Sequence, residues 1–125
     1  MYEEQLKEIG LADNEIKIYL ALLKNGAMNP LNIAKITELH RGYVYDSLER
    51  MQVKGIVTSL TINKKKHFQA VSPTKILDHM RLKITNFEEI IPKLNSLQKK
   101  LGEETSVEMY KGKKAYRYLF IDIVS

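Results

Sequence analysis

The chain has 125 residues, 44% of them hydrophobic and 28% charged, with a formal net charge of +5 at pH 7. That is enough apolar material for one compact domain plus an extension, and too much for a disordered chain. With no cysteine there is no disulfide framework, no thiolate metal site and no cysteine nucleophile, and a reducing cytoplasm is the compartment expected.

No apolar run approaches the roughly 18 residues of a membrane span. Met1-Tyr2-Glu3-Glu4 is acidic and lacks the basic lead of a signal peptide. The three histidines are isolated, and none is spaced i, i+4 from another, so no metal site and no cofactor is expected. There is also no GxSxG, P-loop or GxGxxG, so no enzyme is expected.

In chain order, Tyr2, Leu6 and Ile9 fall on one side of a short helical pattern that Gly10 ends. Asp13 is the expected N-cap of a second helix, with Glu15 in its first turn. Ile16, Tyr19, Leu20 and Leu23 form the expected buried stripe, and Asn25-Gly26 closes it. Asn29-Pro30 starts a third helix, with an amide cap and a proline where no N–H is needed. Its expected buried side is Ile33, Ala34 and Ile36, with Leu39 in the turn that follows.

A short connection, Glu38-Leu39-His40, leads to a fourth helix over 41–54, with His40 in the capping position. Val44, Leu48 and Met51 are its apolar stripe, and Gly55 stops it. Arg41, Tyr43, Ser47, Arg50 and Lys54 fall on other faces, with side chains suited to phosphates and base edges. Gly42 either lets the backbone approach a phosphate or is tolerated in a first turn. Tyr45 is expected half-buried at the edge of the stripe, its hydroxyl hydrogen-bonded.

Residues 56–61 are rich in β-branched side chains, 62–65 form a turn and 66–71 return, which is a hairpin. Ile56 and Leu60, with Phe68 and Ala70, alternate to cover the helices. Lys64, Lys65 and Lys66 stand at its tip, where the alternative to a phosphate contact is a solubilising turn. Charge follows the same division. Residues 1–40 hold four Lys and six acids, whereas residues 41–71 hold six Lys or Arg and two acids. Helix, turn, helix and basic hairpin together predict a mainly α fold with a small β-hairpin (α+β), a winged helix-turn-helix over residues 1–72. On this reading helix 41–54 enters the major groove of double-stranded DNA, and the wing at 62–66 lies on the backbone or in the minor groove.

Ser72-Pro73 opens a long helical pattern over 73–101. Leu77, Met80, Ile84, Phe87, Ile91, Leu94, Gln98 and Leu101 are spaced 3-4-3-4-3-4-3, a heptad stripe that predicts a coiled-coil-like homodimer seam. Pro92 predicts a kink or break within it. Residues 102–125 read as a short tail. It has a strand over Ser106–Tyr110 and a helix over Lys114–Val124, and is a remnant, a truncated start of a further domain or a dimerisation arm.

Ile9-Gly10-Leu11, Asn14-Glu15, Tyr19 to Leu23, Gly26, Val44 to Leu48, Lys54 to Val57 and Phe68 to Pro73 occur in an order and spacing that resembles the archaeal TrmB-like transcriptional regulators, distant relatives of the MarR and ArsR groups. Ile90 to Leu94 resembles the helix that follows in that family. The resemblance implies a DNA-binding activator or repressor acting as a dimer. Members with a sensor carry a C-terminal sugar-binding domain. Here only Val107 to Gly112 resembles its first strand, so sugar sensing is not carried over, and a protein docked on the tail is the alternative source of a signal. The competing class is a winged helix used for protein binding in transcription or replication machinery. Its exposed helix face would be apolar or acidic rather than mixed and basic.

Overall fold

The computed structural model describes the backbone of residues 1–102 and the side chains of residues 1–98. The elements are α1 (Glu3–Glu8), α2 (Asp13–Asn25), α3 (Pro30–Thr37), α4 (Arg41–Val53), β1 (Val57–Ile62), β2 (Lys65–Ala70) and α5 (Pro73–Gly102). This is the mainly α arrangement with one hairpin that the sequence predicts. The chain divides into two units, Met1–Asp78 and a second from His79 onward, with the division inside α5. The tail strand and helix expected over 106–124, and the side chain of Leu101, lie outside the described residues.

The core of the first unit gathers one face of every major element. Ile16, Ile18, Tyr19 and Leu22 come from α2, Ile33 from α3, and Val44, Leu48 and Met51 from α4, with Ile56, Val57, Phe68 and Ile76 closing it. Burying side chains of this size stabilises by about 1.5–3 kcal/mol each, which is what holds short helices that would fray alone. The α2 stripe is rotated from the expected one. Ile18 and Leu22 are buried, whereas Leu23 is exposed and Leu20 only partly covered. The segment from Ile16 to Leu23 is apolar nearly all round, so spacing alone does not fix its phase. On α3, Ile33 is buried but Ile36 is exposed.

The caps differ in one place. Ala12, not Asp13, is the cap residue of α2, and the Glu15 carboxylate accepts from the Ala12 N–H at 2.7 Å. Asn29 caps α3 as expected, accepting from the Asn32 N–H at 2.9 Å. Glu38 then sits at φ 59°, in the left-handed region, and turns the chain from α3 toward α4.

The hairpin keeps the expected register, but its turn is tighter than the sequence suggests, by one residue on each side. Its register pairs Val57 with Ala70 and Ile62 with Lys65, leaving Asn63-Lys64 as a two-residue loop. Both loop residues have positive φ, 50° and 64°, the backbone of a type I′ turn. Met28, between α2 and α3, bridges Phe68 through a pair of bonds, 2.8 and 3.0 Å. The Tyr19 hydroxyl donates to the Val71 carbonyl at 2.8 Å, and its burial pushes the phenol pKa up.

α5 begins with the Ser72 Oγ accepting from the Lys75 N–H at 3.3 Å. It is continuous through Pro92, so of the kink or break expected there it shows no break. Within it, Leu77, Met80, Ile84, Phe87, Ile91 and Leu94 are 36–56% exposed in the single chain. Among the described residues no helix is long and apolar enough to cross a membrane.

Candidate nucleic-acid interface

α4 is the centre of the candidate site. His40 holds extended backbone and its Nδ1 accepts from the Gly42 N–H at 3.1 Å, a histidine serving as N-cap. Its ring lies edge-on to Tyr43, with centroids 6.0 Å apart. This fixes the first turn, the end that a groove-entering helix presents to base edges. A methyl group built on Gly42 would meet only the His40 ring, at 3.4 and 3.8 Å, so packing does not demand glycine here.

Val44, Leu48 and Met51 are buried as their spacing predicts. The candidate contact residues then separate. Arg41, Gly42, Tyr43 and Arg50 are exposed, Tyr43 at 60%. Ser47 is not on that surface. It is 0% exposed, and its Oγ accepts from Arg50 Nη2 at 3.3 Å. The residues 44, 47, 48 and 51 are spaced i, i+3, i+4, i+7, so Ser47 belongs to the buried stripe by position.

Lys54 is exposed, its side chain 37% accessible, but its ammonium is held by the protein. Its Nζ donates to Glu15 Oε1 at 2.7 Å and to the Gly10 carbonyl at 2.7 Å. Glu15 is 0% exposed, and its Oε2 has no hydrogen-bond partner among the described residues. Tyr45, expected half-buried, is exposed.

Reading the sequence by residue type leaves out two further residues of α4. Gly42, Asp46, Glu49 and Val53 follow at 4-3-4 spacing opposite the buried stripe, and all four are exposed. The outward ridge therefore carries two carboxylates, flanked by Arg41, Tyr43 and Arg50. The period that places Val44 and Leu48 inside could have placed these outside.

The hairpin carries the rest of the charge. Lys64, Lys65 and Lys66 are exposed at and beside the tip, with Lys64 in the left-handed region. Lys66 Nζ stands 5.4 Å from the Phe68 ring centroid, a cation–π contact along the strand face. Among the described residues no group of three His, Asp or Glu side chains could hold a metal ion.

Residues 6–74 match the family described as the sugar-specific transcriptional regulator TrmB. Among solved structures the chain is similar to TrmBL2, described as an archaeal chromatin protein with a novel mode of DNA binding, at 24% identity and TM-score 0.64. The likeness covers 89% of this chain and 41% of that one, so this chain spans about two fifths of TrmBL2. It is also similar to the ST1889 protein of the thermoacidophilic archaeon Sulfolobus tokodaii, at 20% identity and TM-score 0.52, covering 76% of this chain and 99% of that one. The YusO protein of Bacillus subtilis is similar at 18% identity and TM-score 0.51, covering 93% of this chain and 79% of that one. At these identities the structures establish a shared fold. No curated protein matches the chain.

Proposed function

Because the chain belongs to the TrmB family of transcriptional regulators, we propose that it binds duplex DNA in a sequence-specific way, as a homodimer, to regulate transcription. The observation that carries this is the basic hairpin beside α4, whose own exposed face is mixed in charge. An exposed helix with a capped first turn presents Arg41, Tyr43 and Arg50, and a neighbouring two-residue turn presents Lys64 beside Lys65 and Lys66.

In this reading α4 enters the major groove. Arg41 and Arg50 donate to guanine edges or phosphates, and Gly42 allows close approach. Asp46 and Glu49 cannot favour phosphate. They accept hydrogen bonds only from exocyclic amines such as cytosine N4, so they reject wrong sequence. The three lysines hold flanking phosphates and supply affinity of any sequence.

The dimer rests on α5. Six apolar side chains on one heptad stripe, all more than a third exposed in the single chain, need cover. A second copy of the same helix gives it with matched spacing, over residues 73–101.

Selection of bound sequences from a random duplex library tests the whole reading. The expected product is an enriched site with two related halves. A library that emerges unenriched points instead to a protein-binding winged helix.

A further inference from the structure

Resting on the reading of α4 as the groove-entering helix, we infer that the Glu15–Lys54 ion pair positions α4 on its scaffold, and that Lys54 is a positioning residue rather than a phosphate contact. Three segments meet at one ammonium. Lys54 follows the last turn of α4, and its N–H bonds the Arg50 carbonyl at 2.9 Å. Its Nζ ties that end to Glu15 in the first turn of α2 and to Gly10 in the preceding loop, both at 2.7 Å.

Glu15 carries a carboxylate at zero exposure, with Lys54 as its salt-bridge partner. Its Oε1 also accepts from the Ala12 N–H, and Oε2 has no partner among the described residues. Swinging Nζ out toward a phosphate would strand this carboxylate in the core. Breaking one partner of such a pair costs far more than a screened, solvent-exposed lysine–phosphate contact returns. Lys54 therefore stays on Glu15 when DNA arrives.

The consequence is geometric. The apolar stripe of α4 packs against α2 and α3 without strong direction, and such contacts tolerate small slides and rotations. Charge-assisted bonds are short and directional. Pinning one end of a 13-residue helix, about 20 Å long, fixes where Arg41 and Tyr43 lie at the other end.

Glu15→Gln, Lys54→Met and the double variant of the full chain, titrated on the selected duplex and on an unrelated one, test this. Each single variant is expected to lose about tenfold affinity for the selected duplex, the worth of one base contact. The loss on the unrelated duplex is smaller, because phosphate contacts adjust to a displaced helix, and the salt slope stays at the wild-type value. The double variant is expected to lose no more than the worse single one. A phosphate contact predicts the opposite pattern. Lys54→Met would lower the salt slope by about 0.9 and weaken both duplexes equally, and Glu15→Gln would free Lys54 and strengthen binding. Either result overturns the proposal. Glu15→Gln keeps a neutral acceptor for the Ala12 N–H and removes the charge that holds Lys54, so it reports the sign even if Lys54→Met fails to fold. An equal loss on both duplexes at unchanged slope marks a purely structural pair and also overturns it. A wild-type chain that enriches no sequence overturns the groove reading first, whereas an enriched site bound unchanged by Glu15→Gln overturns this inference alone.

Discussion

Lys64→Gly should make the protein more stable and a weaker DNA binder at once. Lys64 sits at φ 64° in the second position of the hairpin loop, where glycine is the residue that fits without strain. A side chain in the left-handed region costs about 1–2 kcal/mol. Glycine returns part of that through the extra freedom of its unfolded chain, about 0.4–1 kcal/mol. The net gain is about 0.5–1 kcal/mol, which raises Tm by about 2–8 °C for a unit of this size. The same change removes one cation from the wing. With one phosphate fewer neutralised, the salt slope falls by about 0.9, so raising salt fourfold, from about 50 to 200 mM, costs the variant about 3.5-fold less affinity than the wild type. Calorimetric melting and salt-dependent anisotropy titration read the two effects separately. Asn63→Gly is the control, because asparagine tolerates φ 50° well and carries no charge. A lower Tm for Lys64→Gly would refute the account of the turn, and an unchanged salt slope would refute the account of the wing.

Leu94→Glu puts a carboxylate in the proposed α5 seam and should turn dimers into monomers, read by sedimentation velocity at tens of micromolar. A wild-type chain that sediments as a monomer there removes the basis for this. Gly42→Ala should stabilise α4 by up to about 1 kcal/mol, since the added methyl meets only the His40 ring. Weaker DNA binding by that variant would show close backbone approach, and unchanged binding would show a merely tolerated glycine. Tyr19→Phe removes the hydroxyl bond to Val71 and should cost about 1 kcal/mol at pH 7 in denaturant melts. Burial raises the Tyr19 pKa above its unfolded value, so its contribution is whole below about pH 10 and fades as pH rises through the folded pKa. The gap between wild type and variant should therefore close above about pH 10, and a gap that widens there would contradict the assignment.

The parts of the fold that the sequence announces are those with one dominant local period. Val44, Leu48 and Met51 are separated by polar residues, so their phase is unambiguous, and all three are buried. α2 has apolar residues on every side, and its phase is set by what α3, α4 and the hairpin leave room for. That is why Leu23 is outside and Leu22 inside. Ser47 shows how residue type misleads where position does not. Its spacing marks it as interior, while its hydroxyl suggests a surface. The role of Lys54 is not legible in any local sense, because its partner Glu15 lies 39 residues away. The turn Asn63-Lys64 lacks the glycine that usually marks a type I′ loop, and its boundary lies one residue from the expected one. Met28 gives no strand signal at all, being a single bridging residue.

That bridge has a consequence for how the domain assembles. The hairpin pairs neighbours in sequence and can close in microseconds. Met28 and Phe68 stand 40 residues apart, and α3, α4 and β1 all lie on the loop their pairing closes. Chain entropy makes so long a closure late, after the local helices and the hairpin have reduced the search. Once made, the pair locks those elements into one cooperative unit. The Met28 and Phe68 amides, donating across it, are therefore expected to exchange with solvent at the slow rate of global unfolding, which hydrogen-exchange measurement would check.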